Sequence, residues 1–524
     1  MNRRTFLSRI AAIPLIGAAS ISAATKRPNV VIIMADDMGF SDVGCYGGEI
    51  RTPNIDSLAK GGVRFTQFYN AARCCPTRAA LLTGLYNHQA GVGNMVTDMG
   101  HPSYQGYLNT KCVTIAEALR PAGYRTYMAG KWHVGEERPH WPVDRGFDRY
   151  FGLISGAANY FRPEDARTVA LDGERWKPGP NEKYYATDAF TDWSVRYIED
   201  HSKTHAEKPF FLYLPYTSPH WPLHAWPEDI SKYLGKYREN GWDKLREERH
   251  KRQIEMGLID AKWGLSPRGD GIPAWDSLTP REKDDFDLRM AVYAAQIDRM
   301  DQGIGRVLDA LRKTGQFDNT VILFLADNGG CHEEKIRGET PVPAGPVESF
   351  TSYGRPWANA SNTPFRMYKH WVHEGGISSP LILHWPAELK RGGGFDRDPA
   401  HVTDLMATAL DAAGAPYPKS HKGTAVTPTD GRSLLPVARG KKREVRDAIF
   451  WEHEGARAVR MKNWKLVAAH NGPWELYDIA SDRCERNNLI DSQKDRAALM
   501  QNKYDEWATR CEVVPFAELQ KRRA

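Results

Sequence analysis

The sequence predicts an α/β protein with a doubly wound, mostly parallel sheet flanked by helices, followed by a smaller C-terminal domain of antiparallel sheet plus helix. Three observations predict this fold class. Short apolar runs end in polar clusters, helical patterns alternate with those runs, and short alternating strands begin near residue 446. Alternating strands and helices are typical of a sheet with helices packed on both faces.

Five apolar runs predict the buried strands of the sheet. Each run is rich in branched or aromatic residues, and each ends in a polar cluster. Continuous apolar runs of this length suit strands that are buried on both faces, as in a parallel sheet. The runs are NVVIIMADD (29–37), YRTYMAGKWH (124–133), PFFLYLPYTSPH (209–220), NTVILFLADNGG (319–330) and SSPLILHWP (378–386).

Helical patterns lie between these runs. TPNIDSLAKGG (52–62) and the longer segment 290–313 keep a helical period and stop at glycine. The charged stretch at about 229–287 predicts a surface helix inserted over or beside the ligand site. We therefore expect a large domain over 27–440 and a C-terminal domain over 446–524. The strands of the second domain are predicted in 447–455, 456–470 and 474–482, before a helix near 493–510.

Composition narrows the class of protein. The chain has 524 residues, too many for one ordinary core, and a net charge of +6. Lysines and arginines are scattered rather than striped, which argues against a nucleic-acid partner and is compatible with a small anionic substrate. Hydrophobic residues make up 41% of the chain, as in soluble globular proteins.

The N-terminal segment 1–24 predicts a cleaved export signal. It has a basic start, an apolar stretch over 10–19 and small residues at 22–24. The apolar stretch is too short for a stable membrane anchor. Arg3 and Arg4 resemble a twin-arginine signal, and an ordinary secretory signal is the alternative. Export machinery is therefore an expected partner, and we expect a periplasmic or secreted protein.

Polar side chains follow four of the predicted strands. The carboxyl ends of strands in such a sheet meet at one edge, where ligands bind. We therefore expect the residues after these runs to lie together, namely Asp36, Asp37, Lys131, His133, His220, Asp327 and Asn328. The carboxylate and amide groups among them offer only oxygen ligands, which suits a hard divalent cation.

The stretch AARCCPTRAALLTG (71–84) predicts a helix that begins near Cys74, because Pro76 suits a first helical turn. Free N–H groups and the helix dipole favour negative charge there, so Cys74 is a candidate reactive thiolate. A buried structural thiol or half of a disulfide is the alternative. The seven cysteines form no zinc-type cluster in the sequence, and Cys484 with Cys511 is a candidate disulfide pair.

Cys74, Pro76, Thr77 and Arg78, continuing to LTG (82–84), resemble the signature of the sulfatase family. The resemblance extends in family order over nearly the whole chain after residue 27, and it implies the alkaline-phosphatase-like fold. The inserted segments further resemble bacterial arylsulfatases. The matching segments are RPNVVIIMADDMGFSDVGCYGG (27–48), TPNIDSLAKGGVRFTQFY (52–69), GKWHVG (130–135), SPHWP (218–222), LADNGG (325–330) and NTPFRMYKHWVHEGGISSP (362–380).

The resemblance implies two cofactors. In this family a formylglycine-generating or radical maturase enzyme oxidises the first cysteine of the signature to formylglycine. That role falls on Cys74 and leaves Cys75 as a packing residue. The hydrated formylglycine is the implied nucleophile. One Ca²⁺, in preference to Mg²⁺, is implied at Asp36, Asp37, Asp327, Asn328 and the modified Cys74.

The resemblance also implies roles for the remaining polar residues. His133 is the base that acts on the second hydroxyl of the hydrate, and Asp327 assists the attacking one. His220 and Lys369 contact the sulfate and the leaving oxygen, and one of them donates a proton. Arg78 lies one helical turn after Cys74 and holds the hydrate or the metal-bound oxygens. Lys131 neutralises sulfate charge.

The implied activity is hydrolysis of sulfate esters, with arylsulfatase as the best single label. The substrate is then a small sulfate ester or a sulfated glycan, as for a carbohydrate sulfatase. The alternatives are a phosphonate or phosphate monoester hydrolase of the same superfamily and a secreted protein that binds anions or glycans without catalysis.

Several polar residues stay outside the predicted site. We expect His332, Glu333 and Glu334 in a solvated loop, and His88 in a structural role. His370, His373 and Glu374 are predicted to pack around Lys369. The segment TSYGRPWANASNTP (351–364) either lines an entrance for an aryl group or is an ordinary packed loop.

Overall fold

A mixed eleven-stranded sheet forms the centre of the computed structural model, which describes residues 27–337, 341–389 and 392–523. The predicted export signal lies outside the described residues. The strands are β1 (Asn29–Ala35), β2 (Val63–Tyr69), β3 (Arg125–Ala129), β4 (Arg149–Leu153), β5 (Val169–Leu171), β6 (Glu174–Arg175), β7 (Phe210–Pro215), β8 (Thr320–Ala326), β9 (Ser378–His384), β10 (Gly394–Asp396) and β11 (Ala400–His401).

The strand order is β10-β2-β9-β8-β1-β7-β3-β4-β5-β6, with β11 also paired to β2. Strands β8, β1, β7, β3 and β4 are parallel to one another and form the middle of the sheet. Every residue of β1, β7 and β8 is buried, as their continuous apolar runs predict. The prediction of a doubly wound, mostly parallel sheet is confirmed.

Strand β9 differs from the parallel-sheet expectation. It is antiparallel to both neighbours, β8 and β2, although all seven of its residues are buried. Burial on both faces produces a continuous apolar run whatever the direction of the strand, so the run alone could not predict it. Because β9 is antiparallel, the segment before it approaches the edge at which the parallel strands end.

Thirteen α-helices lie within the described residues, and the central sheet has one apolar core on each face. Alternate residues of β1 face opposite cores: Val31 and Ile33 one, Val30 and Ile32 the other. The helices are α1 (Pro53–Gly61), α2 (Cys74–Thr83), α3 (Ile115–Leu119), α4 (Ala186–Thr204), α5 (Pro227–Ile230), α6 (Lys236–Glu255), α7 (Pro280–Lys313), α8 (Gly354–Ser361), α9 (Glu374–Ile377), α10 (Asp404–Ala413), α11 (Leu435–Ala438), α12 (Lys494–Arg510) and α13 (Phe516–Arg523).

Helix α6 lies in the predicted charged insertion but is not simply a surface helix. Trp242 and Arg249 are fully buried on one of its faces. The Arg249 guanidinium pairs with Asp42 at 2.7 Å and with Glu49 at 2.8 Å. The high charge of the segment conceals this buried face, because a buried arginine with carboxylate partners looks like a solvated one in the sequence. Through Asp42, α6 supports the loop that follows β1.

The C-terminal part contains a four-stranded antiparallel sheet, as predicted. Its strands, in spatial and chain order, are β14 (Ala448–His453), β15 (Ala456–Met461), β16 (Trp464–Ala468) and β17 (Glu475–Asp478). One face packs on α12, and the other packs on β2 and the segment before β9. A small hairpin, β12 (Ser420–His421) with β13 (Thr424–Ala425), precedes this sheet. None of the helices among the described residues has the length and apolar character needed to cross a membrane.

All seven cysteines lie in the described part of the chain, and all are free and buried. The candidate pair of Cys484 and Cys511 is therefore wrong. Cys484 packs in the large core around the central sheet, whereas Cys511 packs with α12 in the C-terminal core. Two thiols in separate cores are too far apart to bridge without moving the backbone.

A buried ion network joins the two sheets. Glu374, at the start of α9, pairs with Lys465 of β16 at 3.0 Å and with Arg483 at 2.8 Å. Lys465 also pairs with Glu485 at 2.8 Å, and all four side chains are fully buried. Burial alone would raise the pKa of Glu374, but Lys465 and Arg483 lower it to about 2. The carboxylate is therefore ionised and fixes the C-terminal sheet against the segment before β9.

We predict that Glu374→Gln lowers the free energy of unfolding by about 3–5 kcal/mol, because it leaves the buried Arg483 without its anion and Lys465 with Glu485 alone. The folded pKa of Glu374 lies below its unfolded value. Its contribution is therefore complete above the unfolded pKa and is lost as the pH falls towards about 2. Denaturant unfolding at several pH values measures both effects. The control Glu506→Gln breaks an exposed pair and should change stability by less than about 1 kcal/mol; an equal loss in both variants would contradict the prediction.

Candidate active site

The polar residues that follow the central strands lie together at one edge of the sheet. Strand β9 brings Lys369 to this edge from the opposite direction, and α2 adds Cys74 and Arg78. Asp36 and Asp37 follow β1, Asp327 and Asn328 follow β8, Lys131 and His133 follow β3, and His220 lies in the segment after β7. All ten side chains belong to residues that are at most 5% exposed.

Cys74 is the first residue of α2, and Arg73 is its N-cap. The N–H of Thr77 donates to the Arg73 carbonyl at 2.9 Å, which closes the first turn behind Cys74. Gly84 ends the helix in the left-handed conformation, with φ of 70°. The helix predicted from this stretch thus forms, and its N-terminus presents Cys74 to the site.

The oxygen-bearing side chains form one cluster. The Asn328 Nδ2 donates to Asp37 Oδ1 at 2.7 Å, and the Asp37 N–H donates to Asp327 Oδ1 at 3.1 Å. Two buried oxygens, Asp36 Oδ1 and Asn328 Oδ1, have no hydrogen-bond partner among the described residues. A buried polar atom without a partner costs free energy. This donor set fits a hard cation, which would satisfy both oxygens.

Each carboxylate of the cluster has its own cation. Lys131 Nζ lies 2.6 Å from Asp36, Arg78 lies 2.8 Å from Asp327, and Lys369 Nζ lies 2.8 Å from Asp37. Arg78 also donates to the Lys131 carbonyl at 2.9 Å, so that the helix and the segment after β3 are tied together. These pairs compensate for burying three carboxylates within one small volume.

The charges set opposite pKa shifts at two neighbouring carboxyl groups. Burial alone would raise the pKa of Asp36, but Lys131, His220 and Arg78 lower it to about 2. Burial and the Asp36 charge raise the pKa of Asp327 well above its usual range, against the effect of Arg78. Asp36 is therefore the more stable anion of the two. Arg78 contacts both, at 3.6 Å and 2.8 Å.

The Cys74 and Cys75 sulfur atoms and a ring nitrogen of His133 lie within 4.8 Å of one another. Burial lowers the pKa of His133 to about 4, so its imidazole is neutral near pH 7. The Cys75 sulfur lies 3.3 Å from His133 Nε2 and 3.4 Å from Nδ1. The thiol that was expected only to pack is thus in contact with a site histidine. The variable position of the signature contained no signal for this contact.

Two site residues have unfavourable backbone conformations. Asp37 has φ of 66° and His133 has φ of 59°, in the left-handed region that side chains rarely adopt. Such conformations cost about 1–3 kcal/mol each, and they persist where the surrounding contacts hold them. At Asp37 those contacts are the bonds to Lys369, Asn328 and Asp327.

His220 lies between the anion cluster and the pocket. Its Nε2 is 3.4 Å from Asp37 Oδ2 and 3.4 Å from Lys369 Nζ, and its Nδ1 is 2.6 Å from the Trp221 carbonyl. Burial lowers the pKa of His220. The carbonyl contact favours hydrogen on Nδ1, which leaves Nε2 facing the site.

A pocket of about 360 Å³ opens above these residues. Cys74, His133, His220 and Lys369 line its floor. Sequence reasoning missed several residues of its wall, although Glu333 was weighed and assigned to a solvated loop. These wall residues are Arg73, Arg167, Trp221, Glu333 and Lys335. Arg73 and Trp221 lie within quoted motif segments but were not assigned to the site, whereas Arg167, Glu333 and Lys335 come from loops without a recognisable motif.

Residues set aside in the sequence have structural contacts. His88 Nε2 lies 2.8 Å from Glu452 in the interface with the C-terminal sheet. His370 contacts Arg73 at 3.1 Å and Glu454 at 2.6 Å. Tyr353 and Trp357 are buried, and Trp357 packs against Trp242, so these two rings belong to a packed segment rather than an entrance.

The fold and the site define a class of protein before any comparison. Oxygen donors, three cations and a thiol in the first turn of a helix meet at the carboxyl edge of a doubly wound sheet, an arrangement that suits hydrolysis of a charged ester. A family model described as Sulfatase matches residues 28–415. The chain belongs to the sulfatase family and is a sulfuric ester hydrolase. A second model, described as N-sulphoglucosamine sulphohydrolase, C-terminal, matches residues 365–508.

Individual relatives agree with this assignment. An uncharacterized sulfatase of Schizosaccharomyces pombe is 37% identical over 519 residues, covering 89% of this chain and 91% of the relative. An arylsulfatase of Klebsiella aerogenes is 34% identical over 471 residues, covering 85% and 99%. The chain is thus similar to bacterial arylsulfatases, as the sequence motifs indicated.

Solved structures show the same fold. The crystal structure of Ps i-CgsB is 27% identical with a TM-score of 0.69, over 92% of this chain and 93% of the other. A second structure of Ps i-CgsB, in complex with k-i-k-neocarrahexaose, is 26% identical with a TM-score of 0.68, over the same shares. The alkaline-phosphatase-like fold implied by the motifs is therefore confirmed.

Gly156 provides a test of how closely the His133 ring must be held. A Cβ atom at position 156 would lie 2.5 Å from two atoms of this ring, so Gly156→Ala must displace the imidazole. We predict that kcat for an aryl sulfate falls by about 100-fold while the protein stays folded, because a shift of about 1 Å in a catalytic group has an effect of this size. The control Gly179→Ala meets no atom closer than 3.8 Å and should keep full activity. Full activity in Gly156→Ala would show that the ring position is not critical.

Proposed function

We propose that the chain is an exported sulfatase of the arylsulfatase type, whose nucleophile is formylglycine made from Cys74 and whose metal is one Ca²⁺. The observation that supports this most directly is the position of Cys74. Its side chain, at the first turn of α2, is close enough to interact electrostatically with Asp36, Asp327 and the three cations of the buried cluster. Carbohydrate sulfate esters are the second candidate substrates.

The formylglycine proposal rests on the fit of position 74 to its surroundings. When hydrated, formylglycine supplies two hydroxyl groups on one carbon, one for attack on sulfur and one for release of sulfate. A maturase of the formylglycine-generating or radical type would be needed to make it. The neutral His133, beside position 74, is placed to accept a proton from the residue there.

The metal proposal rests on the two unpaired oxygens of Asp36 and Asn328. Asp36, Asp37, Asp327, Asn328 and the modified residue at 74 would hold the ion. A divalent ion there would withdraw electron density from sulfate oxygens. Ca²⁺ is favoured over Mg²⁺ because the donors are carboxylate and amide oxygens on four positions of two loops, and Ca²⁺ tolerates irregular coordination.

Polar side chains at the pocket would hold the substrate. Lys369 and His220 line the pocket that a sulfate group would enter, and Lys131, which does not line it, is paired with Asp36. The charges of Lys131 and Lys369 would offset the negative charge of the sulfate and of the leaving oxygen. His220 and Lys369 are the candidates to donate a proton to that oxygen. Arg78, paired to Asp327 and Asp36, orients both carboxylates rather than reaching into the pocket.

A periplasmic or secreted location is part of the proposal. It rests on the sequence of segment 1–24, in which a basic start precedes a short apolar stretch and small residues. Whether the route is twin-arginine or general secretory export can be tested by replacing Arg3 and Arg4 with lysine and following the processed protein in cell fractions.

The function is tested with a pair of substrates and a pair of cysteine variants. We expect 4-nitrophenyl sulfate to be hydrolysed with a higher kcat/KM than 4-nitrophenyl phosphate. Cys74→Ala should abolish turnover, because it removes the residue that becomes the nucleophile. Cys75→Ala should keep much of the activity and serves as the matched control. The mass of the peptide containing Cys74 should be that of formylglycine, which is lighter than cysteine.

Two results would overturn this proposal. A large preference for the phosphate would assign the chain to the phosphate and phosphonate monoester hydrolases instead. Turnover in Cys74→Ala, or an unmodified Cys74 in protein of full activity, would reject the formylglycine mechanism.

The metal is tested by chelation and readdition. We predict that removing divalent cations lowers both activity and the thermal unfolding temperature, and that Ca²⁺ restores both more fully than Mg²⁺, since an ion that binds only the folded state stabilises it. Asn328→Ala should weaken Ca²⁺ binding measured by calorimetry. Asn502→Ala, an exposed substitution on α12, is the control. Equal Ca²⁺ binding by both variants would contradict the proposed site.

A further inference from the structure

A second pocket, of about 550 Å³, lies beside the candidate active site and is lined by four arginines. We call it the arginine pocket. None of these arginines was assigned to the site from the sequence, although Arg366 lies in the motif segment that contains Lys369. The arginines come from three regions of the chain, namely Arg268, then Arg355 with Arg366, and Arg486.

The arginine pocket and the active-site pocket share their dividing wall. Tyr368 and Trp371 line the arginine pocket, whereas Lys369, between them in the chain, reaches Asp37 in the active site. On the neighbouring loop, the His332 ring stacks on Tyr368 at 5.6 Å, and the next residue, Glu333, lines the active-site pocket. A ligand longer than one small group can therefore extend from one pocket towards the other.

Two of the four arginines have acidic partners. Arg268 lies 2.8 Å from Asp243, and Arg366 lies 3.5 Å from Glu475. Arg355 and Arg486 are exposed, and within 27–337, 341–389 and 392–523 neither forms an ion pair with an acidic side chain. Their guanidinium groups are thus free to bind an external anion.

Two carboxylates also line the arginine pocket, but they do not cancel its charge. Glu485 is fully buried and is paired with Lys465 at 2.8 Å. Asp270 is exposed, and its backbone carbonyl accepts from Arg355 at 3.4 Å. Because Arg268, Arg366 and Glu485 each have an oppositely charged partner, the charges of Arg355 and Arg486 face only the exposed Asp270, and the pocket keeps a net positive charge.

We infer that the arginine pocket binds a second sulfate group on the same oligosaccharide whose scissile sulfate lies over Cys74. The inference rests on the proposed sulfatase function and narrows its second candidate class, the carbohydrate sulfate esters, to oligosaccharides with more than one sulfate. The planar guanidinium fork matches two oxygens of an oxyanion at once. The rings of Tyr368 and Trp371 offer flat apolar faces to a sugar ring between the two sulfates.

The test measures binding rather than turnover, so that it is independent of catalysis. Cys74→Ala protein is titrated by calorimetry with tetrasaccharides that differ only in carrying two sulfates or one, on a galactan and on a glycosaminoglycan backbone. We expect the disulfated ligand of at least one backbone to bind more tightly, and increasing salt to reduce the difference. Adding Arg355→Ala and Arg486→Ala should reduce its affinity by about tenfold or more and remove the preference.

Two control proteins make the result specific. Arg175→Ala with Arg281→Ala removes two exposed arginines that line neither pocket, and it should keep the preference for the disulfated ligand. Arg355→Lys with Arg486→Lys keeps the charge but loses the planar guanidinium group, and should recover part of the affinity.

Equal binding of mono- and disulfated ligands on both backbones, or an unchanged preference in the double alanine variant, would overturn the inference. Failure of the Cys74-intact enzyme to hydrolyse any sulfate ester would instead overturn the proposed function, because the binding experiment does not depend on turnover.

Discussion

The structure depends on the burial of three carboxylates that each keep a separate cation. Asp36, Asp37 and Asp327 end two adjacent strands, where burial would favour their neutral forms. Lys131, Arg78 and Lys369 reach them from three different elements, so that each ion pair also fixes the element that supplies the cation. Removal of one partner would leave a buried charge unpaired, which is far costlier than loss of a surface pair. The edge of the sheet is thereby held rigid before any substrate enters.

The segment before β9 connects the active site to the C-terminal sheet. It enters the sheet antiparallel to its neighbours, places Lys369 in the site, and ends in Glu374, which anchors the C-terminal sheet through Lys465 and Arg483. The C-terminal sheet therefore braces a loop of the active site. Met367 and His370, on either side of Tyr368 and Lys369, have positive φ values of 65° and 91°. Between these two residues, the Tyr368 side chain lines the arginine pocket and the Lys369 side chain lines the active-site pocket.

The two pockets differ in the chemistry that they can recognise. The floor of the first pairs its cations with carboxylates of the chain, so a metal and a sulfate group can share a nearly balanced site. The second has two arginines, Arg355 and Arg486, whose side chains form no ion pair within the described residues, which suits an anion that arrives with the ligand. A small aryl sulfate would occupy the first pocket alone. A multiply sulfated sugar would occupy both, and the proximity of the pockets would then decide which sulfate is presented to position 74.

The sequence by itself determined the elements and the site residues that immediately follow them. Apolar runs marked the buried strands, and strand ends meet at one edge in such a sheet, so Asp36, Asp37, Lys131, His133, Asp327 and Asn328 could be placed together. Only the tertiary structure decided the direction of β9, the contact of Cys75 with His133, the buried face of α6 and the arginine pocket. Local patterns in the sequence indicate whether a segment is buried, and the spacing of its apolar residues indicates whether it is a helix or a strand. They do not specify which distant segments meet, and Arg268 and Arg486 became neighbours of Arg355 and Arg366 only through long-range packing.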